Sequence, residues 1–300
     1  MRKIALLAVV AFAAACGSSS STDAGTGFLR VANFASDIPA ADFCIKATGT
    51  STWTAGVLQA AGGTSGLVYD GGITVLGTKQ VSRYFAYTAG SYDIAVYRLN
   101  LPGSTCATPM ASLTGVSLGS GVSKLVTIVG IGNTAGLPTS HQLVALTDET
   151  SVGAGNVAIR FANMGVASIP GGYTVVPPID LGVVIPGGNP AIFVNTAYPG
   201  VAPARTTPYP VDANGYATMP AASFTAATTL FICPTGYTPT TAPAYCSTFS
   251  VSAGTITSGT LASVYIIGVA GTPPNAIFCG DSTAPPVLGY NYSMCTTAIP

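Results

Sequence analysis

Charged side chains are scarce in this sequence. Asp, Glu, Lys and Arg make up 7% of its 300 residues, whereas soluble globular domains contain about 25%. Ten cationic and ten anionic side chains leave no net charge, and no basic surface is available to follow a phosphate backbone. A nucleic-acid partner is therefore not expected.

Strong helix formers are also few, since Glu149 is the only glutamate and lysine is rare. Gly, Pro, Ser, Thr and Ala are abundant instead, while 48% of the residues are hydrophobic, which is enough to build a core. A helical protein would need residues such as Glu and Lys on its helix surfaces. We therefore predict an all-β protein.

The seven cysteines do not have the spacing of a zinc site, and the chain has a single histidine, His141. Neither a metal nor another cofactor is expected. Cys16 belongs to the N-terminal segment, and the other six cysteines form an even set that predicts three disulfides among fifteen possible pairings. Proximity along the chain favours Cys44 with Cys106, Cys233 with Cys246, and Cys279 with Cys295.

The N-terminus has the pattern of a bacterial export signal. It opens with Met-Arg-Lys, residues 4–13 are apolar, and small residues lead into Cys16. The apolar run is too short to span a bilayer. This order resembles the lipobox of lipoproteins, in which the cysteine is acylated, although alanine replaces the usual leucine and leaves an ordinary signal peptidase site open. We predict an outer-membrane or cell-surface protein with a signal peptide at 1–15 and a lipidated Cys16 opening a flexible Ser/Gly tether at 16–26.

Two distant segments share one pattern. Residues 28–34 (FLRVANF) align with residues 158–164 (AIRFANM), which matches Arg30 with Arg160. Alternate residues are apolar in both, as in a strand with one buried face. Further matches keep the same order, at 88–97 with 220–232 and at 124–132 with 263–271. We predict two tandem Ig-like antiparallel β-sandwich domains, at 27–150 and 155–300.

Residues 30–45 (RVANFASDIPAADFCI) resemble the opening of the bacterial family called domain of unknown function 4397. Positions that fit the family pattern are Arg30, Val31, Asp37, Pro39, Asp42 and the AGSY stretch at 89–92. Ser36 departs from the family's proline, and the second copy keeps Arg160 and Asn163 without the aspartates. The resemblance implies exported, often lipid-anchored β-sandwich modules, and it brings no catalytic residues.

Two short motifs resemble catalytic fingerprints. The GVSLG stretch at 115–119 matches the G-x-S-x-G nucleophile elbow, but the residues after Ser117 have strand character where a helix is required, so a loop position is expected. The GIGNTA stretch at 130–135 matches part of a dinucleotide fingerprint, but the following residues predict a β-turn-β element instead of a helix.

Acidic residues and the histidine are the remaining candidates for chemistry. Asp37 and Asp42 could hold calcium or transfer protons, but we expect them to cap turns. His141 could act as a base oriented by Asp148, but a lone histidine in a turn is expected to be solvated. Because titratable groups are not clustered, we favour a non-catalytic surface protein; the alternative is a secreted or surface hydrolase of polysaccharide, peptide or ester.

The second copy contains long connections rich in proline and tyrosine. Such loops offer rigid amphipathic contact area to a glycan or a surface protein. If the loop at 233–246 is closed by a disulfide, it should present its tyrosines to solvent. Alternatively, these side chains cover the edges of their own sheets. The candidate ligand contacts are Tyr237, Tyr245, Tyr198, Tyr209 and Trp53.

Overall fold

The computed structural model describes the chain from residue 25 onward, with gaps. The described residues are 25–54, 56, 58, 66–69, 80–130, 140–165, 168–169, 173–174, 179–184, 191–196, 198–204, 209–224, 227–237, 243–268, 275–281 and 295–298. Twenty strands and two short 3-10 helices are assigned within these residues, so the protein is all-β, as predicted. No helix within these ranges has the length and apolar character needed to cross a membrane. The predicted signal peptide and Cys16 lie outside the described residues.

Eight strands belong to the N-terminal half. They are β1 (Thr26–Phe34), β2 (Ala40–Ala47), β3 (Leu67–Val68), β4 (Phe85–Thr88), β5 (Gly90–Arg98), β6 (Ala111–Leu118), β7 (Ser123–Val129) and β8 (Gln142–Asp148). They form two sheets, with strand orders β4-β1-β7-β8 and β3-β2-β5-β6. β1 and β7 are parallel, and the other strand pairs described in these sheets are antiparallel.

Apolar side chains from both sheets meet in one core, which makes this half a β-sandwich. Leu29 and Val31 of β1 face this core, as their alternation predicts, and pack with residues of the opposite sheet such as Phe43 and Val96. β7 and β8 pair as antiparallel neighbours, which confirms the two strands expected there, while the residues that connect them, 131–139, lie outside the described residues.

Twelve strands belong to the C-terminal half. They are β9 (Asn156–Asn163), β10 (Ser168–Ile169), β11 (Tyr173–Thr174), β12 (Ile179–Val184), β13 (Ala191–Thr196), β14 (Gly200–Val201), β15 (Tyr216–Pro220), β16 (Thr228–Pro234), β17 (Ser247–Val251), β18 (Leu261–Ile267), β19 (Asn275–Gly280) and β20 (Cys295–Ala298). The main sheets have the orders β13-β12-β16-β17 and β14-β9-β18-β19-β20, with β15 also paired to β9. The 3-10 helices span Ala221–Phe224 and Pro243–Tyr245. A second sandwich core lies between these sheets and includes Ile159, Phe161, Leu181, Ile232 and Val264.

The two halves repeat one strand arrangement. β1 is parallel to β7 and antiparallel to β4, and β9 has the same relation to β18 and β15. Arg30 lies opposite Leu125, and Arg160 lies opposite Ser263. Leu125 is therefore equivalent to Ser263, whereas the sequence alignment matches Lys124 with Ser263. That difference of one residue matters, because neighbouring residues of a strand point to opposite faces of the sheet.

A third core joins the halves. Residues of β1 and β9 that alternate with the sandwich-facing ones point to the opposite side of their sheets. There, Ala32 and Phe34 belong to one cluster with Ala162, Tyr265 and Ile277. β1, β7, β9 and β18 are consequently buried on both faces, which alternation alone does not predict. Among the described strands each hydrogen-bonded pair stays within one half, so the halves meet by packing and side-chain contacts.

Three disulfides connect cysteines that are close along the chain. Cα separations of 5.8, 4.4 and 4.2 Å are found for Cys44–Cys106, Cys233–Cys246 and Cys279–Cys295, respectively. These are the pairs that proximity favours. Each bond lies within one half of the chain.

Candidate functional site

Arg30 lies in the middle of β1 and points away from the sandwich core, into the contact between the halves. Its side chain has no exposed surface. Its Nε donates a hydrogen bond to Asp148 Oδ2 at 2.9 Å. Its Nη2 donates to the Tyr265 hydroxyl at 2.9 Å and also to Asp281 Oδ1. Carboxylates from both halves therefore pair with this buried charge, as a buried guanidinium requires.

Arg160, the equivalent residue of β9, is buried in the same contact. Its Nη2 donates to Asp148 Oδ1 at 2.5 Å and to the Tyr265 hydroxyl at 3.0 Å. Its Nε donates to Ser263 Oγ at 3.0 Å, and its Nη1 donates to the Thr147 carbonyl at 2.8 Å. Asp148 thus accepts from one arginine of each half, with a different oxygen for each.

The partners of the two arginines are equivalent as well. Asp148 ends β8, and Asp281 follows β19, the strand at the same place in the second half. The Tyr84 hydroxyl donates to Asp148 at 2.6 Å, and the Tyr216 hydroxyl donates to Asp281 at 2.7 Å. Each of these rings also lies against the arginine of its own half, with 4.9 and 4.8 Å between ring centre and guanidinium carbon. Each half therefore supplies an arginine, an aspartate and a tyrosine from matching positions.

We name this group the arginine–aspartate cluster; its members are Arg30, Arg160, Asp148, Asp281, Tyr84, Tyr216, Tyr265 and Ser263. Burial alone would raise the pKa of Asp148, but the two guanidinium groups outweigh that effect and hold the pKa below its ordinary value. Burial raises the pKa of Tyr265, so its hydroxyl stays protonated. Two positive and two negative charges balance. Because the charged members are buried, the cluster holds the halves together and offers no access to a substrate.

The single histidine pairs with a different aspartate from the one considered in the sequence. His141 Nε2 lies 2.7 Å from Asp37 Oδ2, whereas Asp148 is held by the arginines. The proposed pairing of His141 with Asp148 is therefore wrong. Only 16% of the histidine side chain is exposed, so the expectation of a freely solvated ring is wrong as well.

Asp42 lies inside β2, so its predicted position in a turn is wrong, although its carboxylate does accept from backbone N–H groups. It is buried, and its Oδ1 accepts from the Phe43 N–H at 2.7 Å and from the Leu58 N–H at 3.0 Å. Burial of Tyr97, together with the nearby Asp42 charge, raises the pKa of Tyr97 to about 12. The carboxylate thus fixes the segment that follows β2.

Ser117 lies inside β6, opposite Ser91, so its predicted loop position is wrong. A nucleophile elbow places its serine in a tight turn from a strand to a helix, whereas Ser117 is the second-last residue of β6 and the next element is the strand β7. Among the described residues, no group of three or more His, Cys, Asp or Glu side chains could hold a metal ion. An open depression of about 310 Å³ lies beside the serine, lined by Leu113, Thr114, Gly115, Val116, Ser117, Lys124 and Ala145.

Tyr237 and Tyr245 lie together on the loop closed by Cys233–Cys246. Each is 38% exposed, their ring centres are 5.6 Å apart, and the ring planes are inclined by 56°. The Gly236 N–H donates to Asp180 Oδ2 at 2.8 Å, which ties the start of the loop to β12. Two aromatic faces are therefore held side by side at the surface, exposed as the sequence predicts.

The other candidate ligand contacts lie elsewhere. Tyr198 is only 7% exposed, and its hydroxyl donates to the Gly130 carbonyl at 3.0 Å, so its prediction as a surface contact is wrong. The physical reason is that the next strand, β14, pairs with β9 and draws this segment into the contact between the halves. Tyr209 is partly buried against the C-terminal core. Trp53 lies in the N-terminal half, with Lys46 Nζ 4.8 Å from its ring centre.

Comparison with known proteins adds little to this geometry. No family model matches the chain, and no curated protein matches it. Among solved structures, the chain is similar to a leucine-rich repeat protein from Bacteroides thetaiotaomicron, with 14% sequence identity and a TM-score of 0.18. The match covers 82% of this chain and 26% of that protein, so the chain spans about a quarter of its length. At that TM-score the likeness carries no argument.

Proposed function

We propose that the protein is a non-catalytic, exported surface protein whose β-sandwich copies, at 27–150 and 155–300, display loops for binding. The observation that carries the proposal is the exposed Tyr237–Tyr245 pair on a disulfide-closed loop. Exposed tyrosine rings offer rigid amphipathic contact area of the kind that binding surfaces use. Closure of the loop by the disulfide lowers the conformational entropy that binding would cost.

The charged residues support a non-catalytic role, because many of those described make structural contacts. Four of them form the arginine–aspartate cluster, and Asp42 binds backbone N–H groups. Hydrogen bonds from the Thr48 hydroxyl and the Gly115 N–H lower the pKa of Asp93, which keeps it ionised as an acceptor. Catalytic sites usually combine several titratable groups in an accessible cleft.

A hydrolase is the second candidate, because His141 and Asp37 have the geometry of a base and its orienting carboxylate. Assays of the purified chain with ester, peptide and glycoside substrates separate the two candidates. We expect no turnover. If turnover is found, and if it disappears in His141→Ala but persists in the control Lys124→Ala, the protein is a hydrolase and the proposed binding function is wrong.

The proposed location is the bacterial outer membrane or cell surface, with a lipid anchor on Cys16. The lipobox-like segment supports it, and disulfides persist in exported proteins but rarely in the cytosol. The resemblance of residues 30–45 to domain of unknown function 4397 is in line with such an anchored module.

Membrane fractionation of the full chain tests this location. Wild type should sediment with membranes, whereas Cys16→Ala should appear in the soluble fraction because it cannot be acylated. Unchanged fractionation of the variant would contradict the lipid anchor.

A further inference from the structure

The strands that flank the loop with Tyr237 and Tyr245, β16 and β17, lie in a part of the chain without charge. No Asp, Glu, Lys or Arg occurs between Asp212 and Asp281, a stretch that contains β15 to β19. The neighbouring strand β12 contributes Asp180, but this residue is 2% exposed and accepts from the loop backbone. A charged ligand would therefore find no counter-charge on these strands.

Two exposed hydroxyl residues lie on the outer face of this sheet, beside buried apolar residues. Phe231 packs with Cys233 and Cys246 in a cluster separate from the sandwich core, so these residues mark the outer face. Thr248 pairs with Phe231 across β16 and β17, and Ser250 follows two residues later on the same face. Both hydroxyl residues are exposed. The loop between β16 and β17 thus carries two exposed aromatic rings, and β17 carries uncharged hydrogen-bonding groups.

We propose that Tyr237 and Tyr245 bind successive sugar rings of a neutral polysaccharide. This inference rests on the proposed binding function and names the ligand class of the same site. A pyranose ring has an apolar C–H face and a rim of hydroxyl groups. The tyrosine rings, 5.6 Å apart, take the C–H faces of two successive sugars. Because the two tyrosine rings are inclined to each other, they suit a bent or twisted chain of sugars better than a ligand with one flat ring.

Affinity electrophoresis tests the proposal with defined probes. The purified chain migrates through native gels that contain dextran, xyloglucan, galactomannan or mixed-linkage glucan, and through gels that contain alginate or polygalacturonate. We expect retardation by at least one neutral polysaccharide. The variant Tyr237→Ala/Tyr245→Ala should lose about tenfold or more in apparent affinity. Leu101→Ala is the matched control, since it removes an exposed apolar side chain, 44% exposed, from the other half.

Two further measurements identify the contact chemistry. Tyr237→Phe/Tyr245→Phe keeps both ring faces and should retain most of the affinity. Affinity for a neutral ligand should also not change with added salt, because no charge pair is screened. If the alanine double variant fails to fold by circular dichroism, Tyr245→Ala alone and protection of the tyrosines from nitration by bound polysaccharide replace it.

The outcomes separate this inference from the proposed function. The neutral-polysaccharide assignment would be overturned if no neutral polysaccharide retards the protein, or if only anionic ones do. It would also be overturned if the affinity falls steeply with added salt. Retention of a purified surface protein that depends on both tyrosines would also overturn it, while leaving the binding function intact. Retardation that is equal in wild type and the alanine double variant would overturn both, because the exposed tyrosine pair would then have no role in binding.

Discussion

Replacing Asp148 with asparagine removes one charge from the arginine–aspartate cluster with almost no change in shape. Arg30 Nε and Arg160 Nη2 each lose a carboxylate partner in this variant. Arg30 keeps its contact with Asp281, and Arg160 keeps its hydrogen bond to Ser263. The cluster then has one positive charge in excess, in a region from which water is excluded.

The expected loss follows from that imbalance. Removing one partner of a buried ion pair costs about 3–5 kcal/mol, because the other charge remains buried and uncompensated. The contacts that both arginines retain favour the lower end, so we expect a loss of about 3 kcal/mol in the free energy of unfolding. Whole domains are stable by only about 5–15 kcal/mol. Loss of this one carboxylate would therefore remove a large share of the free energy of unfolding.

Urea unfolding at pH 7 with intact disulfides measures this loss. The chain has one tryptophan, Trp53, whose fluorescence reports on the N-terminal half, while far-UV circular dichroism reports on all strands. Glu149→Gln is the matched control, since its Oε1 accepts from Asn214 at 2.9 Å and glutamine can do the same. It should change stability by no more than about 0.5 kcal/mol. A loss below about 1 kcal/mol in Asp148→Asn would refute the reasoning, because the buried charges would then be compensated without it.

Acid should weaken the fold through the same residue. Since the pKa of Asp148 is held below its ordinary value, its stabilising effect is complete above about pH 4 and disappears as the pH falls through the lowered native pKa. Wild type should therefore lose more stability between pH 7 and pH 2 than Asp148→Asn, and equal losses in urea titrations would contradict this. On the chain-entropy model, the stability that a disulfide contributes grows with the length of the loop it closes. Cys44→Ala/Cys106→Ala opens a separation of 62 residues and should lower the free energy of unfolding by about 4 kcal/mol. Cys233→Ala/Cys246→Ala opens a separation of 13 residues and should lower it by about 3 kcal/mol. A reversed order in thermal or urea unfolding would exclude that model here.

Features that depend on near neighbours could be predicted from the sequence. The alternation of Leu29 and Val31 identified the sandwich-facing side of β1, because a strand has a period of two. The disulfides joined the cysteines that are nearest along the chain, with separations of 62, 13 and 16 residues, as proximity predicts.

The arginine–aspartate cluster could not be predicted in this way. Arg30 lies 118 residues from Asp148 and 251 residues from Asp281. A charged residue on the face away from a core is ordinarily in contact with water, and only the packing of a second sheet removes that water. The match of Arg30 with Arg160 was the available signal, because a repeated charged residue on the non-core face indicates a shared partner.

Composition also failed to separate the tyrosines. Tyr198 and Tyr237 both lie in proline-rich connections, yet one is buried between the halves and the other is exposed. What differs is the strand that follows: β14 pairs with β9 after Tyr198, whereas Tyr237 belongs to a loop closed on itself by a disulfide. The exposure of each tyrosine therefore depends on which strands pair nearby, and local composition does not predict that pairing.

The contact between the halves has the reciprocity of a two-fold homodimer. Arg30 reaches Asp281, and the equivalent Arg160 reaches Asp148, so each half presents the same patch to the other. Tyr265 departs from this symmetry, because the strand register places it at the position that Thr127 occupies in the first half. Tyr265 touches both arginines, so it lies near the axis that approximately relates the two halves. Two identical large side chains would collide at that axis. Two separate, identical subunits would have to place the same residue there twice, and joining them in one chain permits a large side chain on one side and a small one on the other.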